Sequence, residues 1–175
     1  MTGIAIRPAT DADGDAIWTI LKPIVEGGAH FCAPPHGGRE GAFAYFCPET
    51  AENFVAEVEG RILGVSYLKP NQTGNGDHVC NAGYATHADA RGRGIARALL
   101  DHSLTRARER GFEAMQYNFV VSTNTRAIDT WTRAGFAIVG RLPGAFRHPT
   151  EGHVDALVMW KDLDPTPPAR AEGRD

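Results

Sequence analysis

Residues Tyr84–Leu100, YATHADARGRGIARALL, decide the fold, because they run a strand-like segment through Arg91-Gly92-Arg93-Gly94 into an amphipathic helix. Gly92 and Gly94 are free to take positive φ and let the backbone come close to a ligand. Successive amides of such a turn, with the unpaired amides of the first helical turn, can converge on phosphate oxygens. The stretch reads as an anion cradle at a helix start, although two glycines and two arginines also make ordinary surface turns.

Around this centre the chain alternates strand and helix signals. Residues His78–Thr86 form the expected strand, with Cys80, Ala82 and Tyr84 alternating onto one face. Ile95, Leu99, Leu100, Leu104 and Ala107 give the next helix, Gly94–Arg110, an apolar stripe that Gly111 ends. The order then repeats: a strand over Glu113–Val121, Asn124 ahead of a helix over Thr125–Ala134, and Gly135 as its stop. Upstream, Phe54–Glu59 and Ile62–Leu68 flank Gly60 as an antiparallel hairpin, and Asn71–Asp77 is a polar turn.

Nearer the N-terminus, Gly3–Arg7 reads as a short strand, and Asp11 or Asp13 caps a helix aimed at Val25. Pro23 lacks an amide, so that helix is expected to bend or end near Leu21. Glu26–Arg39 is a Gly- and Pro-rich loop that can shape a pocket, followed by a short helix over Glu40–Phe46. At the other end, strands over Phe136–Arg141 and Val154–Trp160 bracket RLPGAFRHPTEGH, expected to be a loop over a cleft. The chain reads as one domain over residues 1–163, with 164–175 a disordered tail rich in Pro and charge.

Composition removes several function classes. Eighteen basic and 21 acidic residues leave a formal net charge of −3, so no global field favours nucleic acid. Cys32, Cys47 and Cys80 lack metal-site spacing, the histidines are scattered, and a cytoplasmic, reducing setting is the simplest expectation. The opening MTGIAIRPATDADGD lacks a secretory pattern and no apolar run reaches spanning length, so no membrane partner is expected.

Arg91-Gly92-Arg93-Gly94-Ile95-Ala96 resembles the acyl-coenzyme A signature of the GCN5-related N-acetyltransferase (GNAT) family. Asn124, Ala127, the aromatic Trp131 and Gly135-Phe136 resemble that family's second conserved half, and the likeness covers roughly Ile4–Leu163. The resemblance implies an α/β (α+β) fold with a mixed, splayed central sheet flanked by helices. It also implies direct transfer of an acetyl group from acetyl-CoA to an amine. Carried onto this chain, Tyr84, Ala85 and Thr86 would pair with the pantetheine arm through strand backbone, and Arg91–Ala96 would hold the pyrophosphate. Asn124, Ala127 and Trp131 would lie beside the coenzyme, Asn124 serving equally as a helix N-cap.

On the acceptor side, YNFVVSTNTRAIDTWTRAGFAIVGRLPGAF resembles fungal N-acetyltransferases acting on azetidine-2-carboxylate and related proline analogues. That likeness would make Asn81 and Asn118 polar anchors for a small amino acid; local sheet and loop hydrogen bonding is the alternative. The expected partner is a small-molecule amine or amino acid, with a homodimer left open. Protein N-acetylation and a non-catalytic acyl-coenzyme A binding module remain the other readings.

Two positions depart from the family pattern. Trp131 stands where many members place a tyrosine that protonates the departing thiolate, and Asn81 stands near where many place a carboxylate base. Other proton carriers are Glu26, His30, Tyr45, Asp77, Tyr84 and His87; Glu26 is read as a base or acceptor contact beside the N-terminal loop, and Tyr84 as a further catalytic candidate.

Overall fold

In the computed structural model, which describes residues 3–34 and 36–163, the alternation around Gly60 becomes two long strands joined by a two-residue turn. They are β2 (Glu52–Val58) and β3 (Arg61–Pro70). Glu59 and Gly60 both take positive φ, 53° and 77°, the geometry that matches the right-handed twist of a tight hairpin. Outside β2 lies β1 (Ala5–Pro8), antiparallel, and inside β3 lies β4 (Val79–Thr86), also antiparallel.

The remaining strands are β5 (Ala114–Val121), β6 (Ala137–His148) and β7 (Gly152–Asp162), and the sheet order is β1-β2-β3-β4-β5-β7-β6. Every neighbouring pair is antiparallel except β4 with β5, which makes the sheet mixed. That parallel pair holds only at its start, Val79 opposite Ala114 and Cys80 opposite Met115. Past those residues the two strands separate, and the sheet is splayed at its middle.

Helices cover both faces. On one, α3 (Ile95–Glu109) buries Ile95, Leu99, Leu100, Leu104 and Ala107 against Leu63, Leu68, Cys80 and Met115. Its basic last turn, with Arg106 and Arg108, suits the negative end of the helix dipole. Gly111, at φ 79°, turns the chain so that the Phe112 amide reaches back to the Ala107 carbonyl. The short α4 (Thr125–Arg133) adds Trp131 to the same side. On the other face, α1 (Gly14–Gly27) and α2 (Gly38–Phe46) pack Ile17, Ile20, Leu21, Val25 and Phe46 against Val55, Val65 and Ala85.

Two sequence expectations are corrected. The first helix does not stop at Leu21: α1 runs through Pro23 to Gly27. Proline inside a helix costs about 3 kcal/mol, but Ile17, Ile20 and Leu21 before it and Val25 after it are all buried, and keeping that stripe together outweighs the lost bond. The stretch RLPGAFRHPTEGH is not a loop over a cleft. It is mostly strand, because β6 continues to His148 and β7 begins at Gly152. A register shift between Leu142 and Phe146 absorbs Pro143 and Gly144, and the Gly144 amide donates to Asp155 Oδ1 at 2.9 Å. The disordered tail expected over residues 164–175 lies outside the described residues.

Candidate functional site

Where β4 and β5 part, a cleft of about 410 Å³ opens, lined from both layers of the molecule. Strand alternation explains how it reaches both. Asn81, Gly83 and Ala85 point toward α1 and α2, whereas Cys80, Ala82 and Tyr84 point toward α3 and α4. Side chains from the first side include Phe31, Tyr45, Tyr67 and Lys69; those from the second include Tyr117, Val120, Ala127 and Trp131. The cleft is therefore a passage through the sheet.

At its apex stands Asn81, 7% exposed. Its Oδ1 accepts from the Tyr67 hydroxyl at 3.0 Å, and its Nδ2 donates to the Gln116 carbonyl of β5 at 2.8 Å. The Tyr67 ring reaches Asn81 by crossing over Gly83. A Cβ at Gly83 would sit 2.3 Å from Tyr67 Cε1, so glycine is needed here for close approach, not for unusual φ. Burial pushes the Tyr67 phenol well above its ordinary value, so it stays a neutral donor.

Next to Asn81 an amide chain runs along the rim. Gln116 Nε2 donates to Asn118 Oδ1 at 2.8 Å, and Asn118 Nδ2 donates to Asn71 Oδ1 at 2.6 Å. Lys69 stands directly opposite Asn81 in the β3–β4 register, its ammonium 5.8 Å from the Tyr67 ring centroid. No Asp or Glu lines the cleft among the described residues.

The α4 side is an aromatic box. The Tyr84 and Trp131 ring centroids are 5.0 Å apart, Tyr117 and Trp131 5.4 Å, and Tyr117 stacks on Phe136 at 4.5 Å. The Tyr84 and Tyr117 hydroxyls meet at 3.2 Å. Burial pushes the Tyr84 phenol up to about 12 and raises Tyr117 well above its ordinary range. Asn124 caps α4, its Oδ1 accepting from the Ala127 amide at 3.3 Å, and it lines the cleft as well. The N-cap reading of Asn124 holds, and its place in the lining leaves the coenzyme-side reading compatible with it.

Arg91–Gly94 forms an exposed turn at the end of β4 away from the apex. Gly92 and Gly94 take φ of 73° and 76°, and nothing lies within 4 Å of where a Cβ would stand on either. Gly94 is the N-cap of α3 and offers no side-chain cap, which leaves the amides of the first turn, at Ile95 and Ala96, facing the open turn. Thr86 pairs with Gly64 of β3 and Ala85 with Val65, while neither has a partner on β5.

The structure thus gathers Asn81, Tyr84, Asn118, Asn124, Ala127 and Trp131 at one cleft. It does not bring Glu26 there: that carboxylate is exposed in the last turn of α1 and is no part of the lining. Sequence reading missed Tyr67, Lys69, Asn71 and Tyr117. For Tyr117 a signal existed, since it alternates with Met115 on the buried face of β5. Cys80, fully buried, donates to the Ala114 carbonyl at 3.4 Å, and burial pushes its thiol up to about 12.

Comparison with known proteins adds to this geometry. The model of the acetyltransferase (GNAT) family matches residues 21–136. A GCN5-related N-acetyltransferase structure from Kribbella flavida is 37% identical, with a TM-score of 0.85 over 91% of this chain and 97% of that one. The structure of yncA from Salmonella typhimurium, a putative acetyltransferase solved with acetyl-CoA, shares the fold at 21% identity, with a TM-score of 0.81 over 97% of this chain and 99% of that one. The N-acetyltransferase aca1 of Schizosaccharomyces pombe is 37% identical over 98 residues, 55% of this chain. The matched region spans 47% of aca1, and the chain covers less than half the length of the curated relatives it matches.

Proposed function

The chain belongs to the acetyltransferase (GNAT) family, and from that premise we propose that it transfers an acetyl group from acetyl-CoA to the amine of a small molecule, an amino acid or proline analogue. The observation that carries this reading is the cleft that starts at the last β4–β5 pair and takes its lining from both faces of the sheet. One face suits a long coenzyme arm and the other a compact acceptor.

The residues present fit acetyl-CoA. The open Gly92 and Gly94 positions and the uncapped start of α3 form a cradle that side chains would fill, and Arg91 and Arg93 add positive charge beside it. Backbone groups of Tyr84, Ala85 and Thr86, without partners on β5, would hold the pantetheine arm. Asn124, Ala127 and Trp131 would flank it from α4. When bound, acetyl-CoA supplies an acetyl group activated as a thioester.

The chain's own contribution is alignment and hydrogen bonding. Formation of the N–C bond and loss of the C–S bond release a thiolate and one proton from the amine. Burial holds the Tyr84 phenol neutral, so Tyr84 would serve as a hydrogen-bond donor toward the leaving sulfur. Tyr117 supports it through the 3.2 Å contact between hydroxyls. With no carboxylate in the lining among the described residues, the amine proton would leave through water at the open rim. Asn81 and Asn118 orient the acceptor on the α2 side.

The test is calorimetric titration of the purified protein with acetyl-CoA and with NAD, followed by mass spectrometry of products from a panel of amino acids, cyclic secondary amino acids, other amines and peptides. Acetyl-CoA binding with acetylation of small amino acids is expected. Acetylation of peptides alone would replace the small-molecule reading with a protein-acetylating one, and acetyl-CoA binding without any product would leave a binding module.

A further inference from the structure

We propose that the acceptor carries a carboxylate or an equivalent anionic group, and that Lys69 is the residue that reads it. The inference rests on the acetyl-transfer reading above and specifies its acceptor. Lys69 sits on β3 directly opposite Asn81, so both project to the α1/α2 side of the sheet. Thr86, next to the Arg91–Gly94 turn, lies five residues further along β4, about 16 Å from that point at strand rise. Lys69 is therefore at the acceptor end of the passage.

The chemistry around Lys69 is one-sided. Its side chain is half-buried and forms no ion pair among the described residues, its ammonium held only over the face of the Tyr67 ring. The rest of the acceptor wall consists of aromatic groups, Phe31, Tyr45 and Tyr67, and neutral amides, Asn71, Asn81 and Asn118, with His30 at the rim. A cationic acceptor such as a polyamine or a lysine-rich peptide would meet Lys69 with no acidic residue, among the described residues lining the cleft, to offset the repulsion. An α-amino acid places its carboxylate two bonds from the nitrogen. Lys69 can pair with that carboxylate while the amine faces the apex between Asn81 and the α4-side box.

The amides cannot substitute for Lys69. Both Asn81 groups already have protein partners, and Asn118 spends one donor on Asn71 and its oxygen on Gln116. They can position a ligand but carry no charge to select its sign.

The experiment compares the protein amino acids and azetidine-2-carboxylate, each beside its own α-carboxamide, together with spermidine and a lysine-rich peptide. Wild type, Lys69→Met and Lys69→Arg are assayed for kcat/KM and titrated calorimetrically with acid and amide in the presence of coenzyme A. Wild type is expected to prefer the best acid over its amide at least tenfold, in turnover and in binding. Lys69→Met should bring that ratio to near one through KM while acetyl-CoA affinity stays within twofold, and Lys69→Arg should retain most of it. An acid-to-amide ratio near one in wild type, an unchanged ratio in Lys69→Met, or spermidine or the peptide as best acceptor would overturn the inference. Failure of wild type to bind acetyl-CoA at all would instead strike the acetyl-transfer reading, and the inference with it.

Discussion

Asn81 joins its Nδ2 to the Gln116 carbonyl at 2.8 Å, one position beyond the last backbone pair between β4 and β5. A side chain thus makes the final rung of a ladder whose backbone has already separated. With Tyr67 donating to its other end, this residue fixes how far apart the strands stand. Asn81→Ala would leave the half-buried Tyr67 hydroxyl and the Gln116 carbonyl without that partner, at a cost of about 2 kcal/mol. Asn81→Asp should lose as much or more, since it still accepts from Tyr67 but presents oxygen to a carbonyl. Urea unfolding measures both, and an Asn81→Ala variant as stable as wild type would show that the rung does not hold the cleft.

Gly83 and Tyr67 make a second pair whose coupling is measurable. Adding a methyl group in Gly83→Ala places it 2.3 Å from the Tyr67 ring, so the ring must swing away and release Asn81. The expected loss is about 1–3 kcal/mol. Tyr67→Ala in the same background removes the clash, so the double variant should be more stable than the two single losses summed. A purely additive cycle would contradict the close approach.

Trp131 is 9% exposed and packs on both Tyr84 and Tyr117. Trp131→Ala should cost about 3–5 kcal/mol, and Trp131→Phe much less, because the ring still fills most of the box. Turnover in Trp131→Phe should follow its stability and stay well above that of Trp131→Ala. If Trp131→Phe kept its stability and acetyl-CoA affinity but lost as much turnover as Trp131→Ala, the indole would have a direct part in the transition state.

Asp13 offers a pH-dependent test away from the cleft. Arg7 holds it with two hydrogen bonds of 2.8 and 2.9 Å, and the Thr10 amide adds one of 2.7 Å. The guanidinium beside it keeps the Asp13 carboxyl well below the ordinary carboxylate range. A depressed value means the stabilisation is full above the unfolded-state value near 4 and fades as pH falls below it. Asp13→Asn should lower stability by about 2 kcal/mol at neutral pH. Its loss of stability between about pH 4 and pH 2 should also be shallower than that of wild type. Parallel acid-unfolding curves would count against the pair.

Local signals made much of the fold legible. The hairpin about Gly60, the α3 stripe and the Asn124 cap rest on residues close in sequence, where periodicity and turn chemistry speak directly. Pro23 misled because its effect is local, whereas what overrides it, burial of Val25 against the sheet, is tertiary. Pro143 and Gly144 misled because an edge strand with a register shift tolerates residues that a central strand would reject. Around the cleft, the turn at Arg91–Gly94 and the α4 residues belong to contiguous motifs. Tyr67, Lys69 and Asn71 become neighbours of Asn81 and Asn118 only through the β3–β4 register and the parting of β4 from β5, which no short window contains.

That parting also bears on the order of events. A cleft lined from both layers of the sheet would give the proposed coenzyme and acceptor separate approaches, so neither would have to leave before the other arrived. The one cysteine of β4 points into the α3 core with its thiol spent on a carbonyl, away from the lining, so on the proposed reading the group would pass directly from coenzyme to acceptor. On the proposed reading, both partners would be present together. On that reading the protein would act as a meeting place for two visitors rather than as a courier between them.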